Sequence, residues 1–140
     1  FRVLWTEDPA SFDGPFTSFN DIRLLPKPVG SIPVWIGGGS EAAYRRGIAK
    51  GDGFQLIGVT PEQAAPVVAR LRSERPDPEH FTISLRTGWD PLGMDPARIS
   101  DELAAYTEAG IQYVVAAPWR SNPGDWRKAM EMLAELVIFT

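Results

Sequence analysis

The chain has 140 residues, about one domain's length, and its 44% apolar and 23% charged residues are enough for one core. A net charge of -4 leaves no basic footprint for nucleic acid, and the lack of cysteine excludes a disulfide framework or a thiolate metal site. The absence of cysteine fits a cytoplasmic location, no apolar run reaches the roughly 18 residues of a membrane span, and no basic-then-apolar leader is seen.

Residues 1–31 are predicted to be irregular. Phe1 to Trp5 is a short apolar piece, and Phe1 in place of methionine suggests part of a longer protein. Pro9, Gly14 and Pro15 then fall among Phe12, Phe16 and Phe19. Asp13-Gly14 is a turn signal whose flanks predict a loose hairpin. Ile22 to Leu25 is a short extended candidate, and Pro26-Lys27-Pro28 forces an extended approach to the strand at Ile32. A segment this long without regular structure is expected to be functional, or to pack on a surface that is missing.

Four strand-then-helix units come next. The first strand, Ile32 to Ile36, stops in Gly37-Gly38-Gly39, and Ser40 caps a helix from about Glu41 to Lys50 that Gly51 terminates. The second strand, Gly53 to Gly58, leads to Thr60-Pro61-Glu62-Gln63, which combines a capping box with a first-turn proline. That helix runs to about Glu74, with Ala64, Val67, Val68 and Leu71 on one face. The third strand, Phe81 to Thr87, alternates Phe81, Ile83 and Leu85 with Thr82, Ser84 and Arg86. Asp95 or Ser100 caps a helix to about Ala109, and Gly110 ends it. The fourth strand, Ile111 to Ala117, is apolar almost throughout, as a strand covered on both faces should be. A last helix spans about Asp125 to Val137.

Such alternation argues a parallel α/β sheet. Two architectures fit: a small open doubly wound sheet, or half of a (β/α)8 barrel, a form that takes about 250 residues when whole. The domain reading is an aromatic-rich connecting segment over 1–31 and four βα units over 32–140.

The run Pro26-Lys27-Pro28, Ile32-Pro33-Val34-Trp35-Ile36-Gly37-Gly38-Gly39-Ser40, Ala43, Arg46, Ala49 and Gly51-Asp52-Gly53-Phe54 resembles the luciferase-like family of flavin- and deazaflavin-dependent oxidoreductases and monooxygenases. Phe54 departs mildly, since tryptophan is commoner there. Ala109 to Val115 is similar to the family's last strand. The resemblance covers about residues 20–137. It implies the C-terminal half of a (β/α)8 TIM barrel with the N-terminal half absent, and coenzyme F420 (a deazaflavin) or FMN as cofactor. It also implies hydride transfer between reduced cofactor and a small-molecule organic substrate, or FMN-dependent monooxygenation. The catalytic residues are left unassigned, because much of the family's substrate-side chemistry comes from the first half.

Barrel sites lie at the C-terminal ends of the strands, so the loops there supply the candidates. Gly37, Gly38 and Gly39 would let backbone approach a cofactor closely, with Trp35 before them and Ser40 after. Arg86 and Arg120 are the available cations for a phosphate. The competing roles are an ion pair inside the barrel for Arg86 and a solvated loop charge for Arg120. Trp89 and Trp119 could wall a flat pocket, or be ordinary loop packing. Gln55, Asp90 and Ser121 share this end of the sheet without an assigned role. Asp52 reads as a structural tie and the lone His80 as a surface residue, so a histidine-based metal site has no support. Open barrel edges predict a homo-oligomer, a dimer, if the segment is stable alone. A self-contained α/β binding module that catalyses nothing is the alternative from another class.

Overall fold

The structure is a computed structural model that describes residues 1–138. It divides into two compact units, Phe1–Ile32 and Pro33–Thr140.

The first unit is more regular than its sequence suggests. It opens with helix α1 (Arg2–Thr6), followed by the antiparallel pair β1 (Ala10–Asp13) and β2 (Ser18–Ile22). The hairpin expected around Asp13-Gly14 is present, with Gly14 N–H donating to the Thr17 carbonyl at 3.1 Å. The helix was not foreseen, because five residues are too few to show a period. Lys27 holds its end, donating from Nζ to the Leu4 and Glu7 carbonyls at 2.9 and 2.5 Å, so a cation meets the helix's unpaired acceptors. Phe1, Val3, Leu4, Phe12 and Phe19 line a hollow of about 530 Å³ in this unit.

The second unit carries the four strand-helix repeats. In chain order they are β3 (Trp35–Gly37), α2 (Glu41–Lys50), β4 (Gly53–Ile57), α3 (Pro61–Ser73), β5 (Thr82–Thr87), α4 (Pro96–Glu108), β6 (Tyr113–Ala116) and α5 (Pro123–Ile138). A 3-10 turn, Pro78–His80, precedes β5. The strands pair in parallel in the order β3-β4-β5-β6. That order decides between the two architectures. A doubly wound sheet must reverse its strand order to place helices on both faces. Sequential order with right-handed crossovers stacks every helix on one face, which is how a barrel wall is built.

The helix-facing side is the core. Phe54, Leu56, Ile83 and Leu85 are buried there with Ala64, Leu71, Ile99 and Leu133, each large side chain contributing about 1.5–3 kcal/mol of transfer free energy. Helix α2 lies close to β4 because Gly47 has no side chain; a Cβ there would sit 2.5 Å from the Phe54 ring.

Local signals set the helix ends. Ser40 Oγ accepts from Ala43 N–H. Thr60 and Gln63 exchange both bonds of a capping box, worth about 1 kcal/mol. Asp95, not Ser100, caps α4 by accepting from Ala97 N–H. Helix α5 starts at Pro123, two residues earlier than its pattern suggests, because Asn122 Oδ1 accepts from the Gly124 and Asp125 N–H groups. Two other details differ. The strand expected from Ile32 pairs only from Trp35, and Gly51 ends α2 in an extended conformation (φ -82°) rather than a left-handed one. Asp52 ties that corner as expected: its Oδ2 accepts from Val34 N–H at 2.7 Å, and its own N–H donates to the Val34 carbonyl at 2.8 Å. His80 is exposed at the opposite end of the sheet from the strand C-termini. No helix among the described residues is long and apolar enough to cross a membrane.

Candidate functional site

Side chains alternate across a strand, so the register fixes what lines the face away from the helices. Trp35, Gly53 and Thr82 form its lowest row, at the strand starts. Gly37, Gln55, Ser84 and Tyr113 form the next, and Ile57, Arg86 and Val115 the row nearest the strand C-termini. Along β5 the lowest row and Arg86 are four residues apart, roughly 13 Å.

Trp35 therefore belongs to the floor rather than the mouth. Its indole lies over Gly53, where a Cβ would come within 2.7 Å of the ring, and meets Tyr113 edge-on with centroids 5.6 Å apart. The glycine is what lets one aromatic cross a neighbouring strand. Tyr113 was not singled out from the sequence, although counting in twos from Val115 would have placed it on this face.

The mouth is made by the loops after the strands. Gly38 takes φ +132°, which disfavours any side chain, and a Cβ there would lie 3.0 Å from that of Ala43. Gly39 is different: its φ is not left-handed and a Cβ would meet nothing within 4 Å. Neither backbone conformation nor packing requires glycine at this exposed position. Ser40 Oγ is occupied as the acceptor that caps α2. The adjacent Glu41 is gripped by Arg70 through two bonds of 2.6 and 2.7 Å, and that guanidinium holds its carboxyl below the usual range. The charge at this helix end is thereby offset.

On the far side of the mouth, the Arg86 guanidinium stacks on the Trp119 ring, 4.9 Å from its centroid. Trp119 is 72% exposed and lies against Gly88, where a Cβ would be 3.3 Å from its Cδ1. Arg120, next in sequence, does not enter the mouth as a free cation. Its Nε and Nη2 both bond Asp90 Oδ2, at 2.8 and 2.6 Å, which raises the arginine's pKa. Asp90 also shapes its own loop, with its carbonyl accepting from Gly93 and Met94 N–H and its Oδ1 from Leu92 N–H. One ion pair thus clasps the loops after β5 and β6. The sequence placed Asp90 at this end of the sheet, but nothing in its spacing from Arg120 could have revealed the pair.

Trp89 does not wall the mouth. It is 1% exposed, packs with Tyr106 at 6.2 Å between centroids, and donates Nε1–H to Glu102 Oε2 at 2.8 Å. Of the nine residues expected to hold a cofactor, the structure brings Gly37, Gly38, Gly39, Ser40, Arg86 and Trp119 to the mouth. It places Trp35 on the floor, Trp89 in the core and Arg120 in a structural clasp. Among the described residues, no group of three or more His, Asp or Glu side chains is placed to hold a metal.

A luciferase-like monooxygenase family model matches residues 1–137. The chain belongs to the luciferase-like family. A pyrimidine monooxygenase, RutA, from Allorhizobium ampelinum is 30% identical over 103 residues, 74% of this chain and 28% of that protein. An F420-dependent glucose-6-phosphate dehydrogenase from Intrasporangium calvum is 34% identical over 53 residues, 38% of this chain and 16% of that protein. Among solved structures, the coenzyme F420-dependent tetrahydromethanopterin reductase from Methanopyrus kandleri superposes with a TM-score of 0.73 at 11% identity, covering 98% of this chain and 59% of that one. That likeness concerns the fold: the four units are the C-terminal half of a (β/α)8 barrel. The chain spans about a quarter of the length of the curated relatives it matches over more than half its own residues.

Proposed function

We propose that this chain supplies the C-terminal half of an oxidoreductase that transfers hydride between a bound deazaflavin, coenzyme F420, and an organic substrate at the mouth of the barrel. The observation that carries the reading is Gly39. It is a glycine at the C-terminal end of a barrel strand, beside a capped helix start, that the fold does not need. A side chain there would fill the space that a flat ligand edge or a phosphate could use. Backbone at Gly37 to Gly39 would hold one side of the cofactor. Arg86, two strands away and so roughly 10 Å across, and Trp119, in the loop after the next strand, would hold groups on the other side. When bound, the cofactor supplies the hydride chemistry. The chain's own tasks are to position it and to close the lower end of the site, where Trp35 and Tyr113 form an aromatic floor.

The F420-dependent relatives support the deazaflavin. RutA favours a second reading in which FMN takes the same place in a monooxygenase. Titrating the full-length protein separately with F420 and with FMN, following cofactor fluorescence, tests both. Tight binding of F420 supports the first reading, and FMN alone would move the assignment to the second. Binding of neither would leave the non-catalytic α/β module.

A further inference from the structure

We propose that Arg86 and Trp119 form an oxyanion subsite, taking a carboxylate or phosphate on a ligand whose flat or apolar part lies along the Trp119 indole. Arg86 is the one charged residue on the inner face of the four described strands, and its register neighbours Ile57 and Val115 are apolar. Arg70, Arg75, Arg98 and Arg120 each hold a carboxylate within 3 Å, whereas among the described residues Arg86 has none. Arg86 is partly buried between these two apolar neighbours, so its charge gains from an anionic partner.

The geometry leaves that partner a place. The Arg86 Cζ lies over the Trp119 ring, 4.9 Å from its centroid, and no ion pair among the described residues occupies the guanidinium, whose fork matches carboxylate and phosphate. Trp119 is largely exposed, so it is not merely core packing that Arg86 happens to touch. Its position is also built: Gly88 makes room for the ring, and the Asp90–Arg120 clasp anchors the next residue.

The inference rests on the mouth being the ligand side, not on which redox cofactor binds. The test is calorimetric titration of the full-length protein with inorganic phosphate and with benzoate, for the natural protein, Arg86→Met, Arg86→Lys and Trp119→Ala. Arg86→Met should weaken binding of at least one anion roughly tenfold to a hundredfold, the scale of a charged hydrogen-bonded contact. Arg86→Lys should keep part of it, because the charge stays and the fork is lost. Trp119→Ala should hurt benzoate more than phosphate. Parallel F420 and FMN titrations of Arg86→Met separate the sources. Weakened cofactor binding identifies a cofactor phosphate or carboxylate as the occupant, and unchanged binding identifies an acidic group on the substrate. The subsite is overturned if neither anion binds the natural protein, or if Arg86→Met and Arg86→Lys, both folded by thermal melt, match it with every probe. Anion binding that survives where no cofactor binds would sink the redox reading and leave the subsite standing.

Discussion

Replacing Gly39 with alanine separates a glycine kept for the fold from one kept for a ligand. A Cβ at Gly39 meets nothing within 4 Å and the backbone there is not left-handed, so no strain is introduced. Alanine narrows the unfolded ensemble, and stability should rise by about 0.4–1 kcal/mol. A ligand seated against that backbone would meet a new methyl group. Forcing a methyl into a filled contact costs about 1–3 kcal/mol, which is roughly a 5- to 150-fold loss of cofactor affinity at about 1.4 kcal/mol per factor of ten. The assay is a pair of measurements on the full-length protein: a thermal melt without cofactor and a fluorescence titration with it. Gly38→Ala is the control, since its φ of +132° and the 3.0 Å approach to Ala43 predict lost stability before any ligand is added. A Gly39→Ala protein that is more stable and binds cofactor as before would refute the reasoning, and the turn would be a connector only.

Three further outcomes are expected. Arg120→Met should lower the melting temperature slightly, since solvent screens this part-exposed pair, and should weaken ligand binding by loosening Trp119; unchanged melts and titrations would show that the clasp holds nothing. Trp89→Phe should lower stability by about 1–3 kcal/mol through lost volume and the lost Nε1–H bond to Glu102, which keeps its ion pair with Arg98, with cofactor affinity unchanged; a loss of affinity alone would return Trp89 to the mouth. Tyr106 donates its hydroxyl to the Val59 carbonyl, and burial, reinforced by Glu102 and Glu62, raises its pKa above 10.0. The unfolded chain gives up that proton first, so stability is whole below about pH 10 and falls as pH rises toward the folded value. Chemical denaturation from pH 8 to 11 should show this fall, and Tyr106→Phe should lack that part of it.

Much of the fold was legible because several signals agreed at each junction. Thr60, Pro61 and Gln63 mark one helix start three times over, and the strand at Phe81 to Thr87 alternates cleanly. Strand order was not legible. Four βα units suit either a doubly wound sheet or a barrel wall, and only the β3-β4-β5-β6 pairing separates them. Asp90 shows the same limit at the site. Its bond to Arg120 joins two loops 30 residues apart, and such a pair exists only once the strands between them have been placed. Gly39 sits between these cases. The glycine run was visible, but which of its members the backbone needs depends on φ and on neighbours that sequence does not supply.

Choosing site residues by nearness to a strand's end put Trp35, Trp89 and Trp119 in one group. Counting in twos divides them. From Leu85, which faces the helices, the alternation gives Arg86 inward and Trp89 outward, where it is found buried beside Tyr106. From Tyr113 and Val115, which face inward, it carries through Ala117 to Trp119, found on the inner face over Arg86. The same count puts Trp35 inward but two residues below Gly37, hence on the floor. The pleat keeps its phase for two or three residues past the last ladder bond, here helped by Ala117 N–H donating to the Thr87 carbonyl. In a barrel half, then, alternation phase selects which aromatic can meet a ligand, and position along the strand sets how deep it sits.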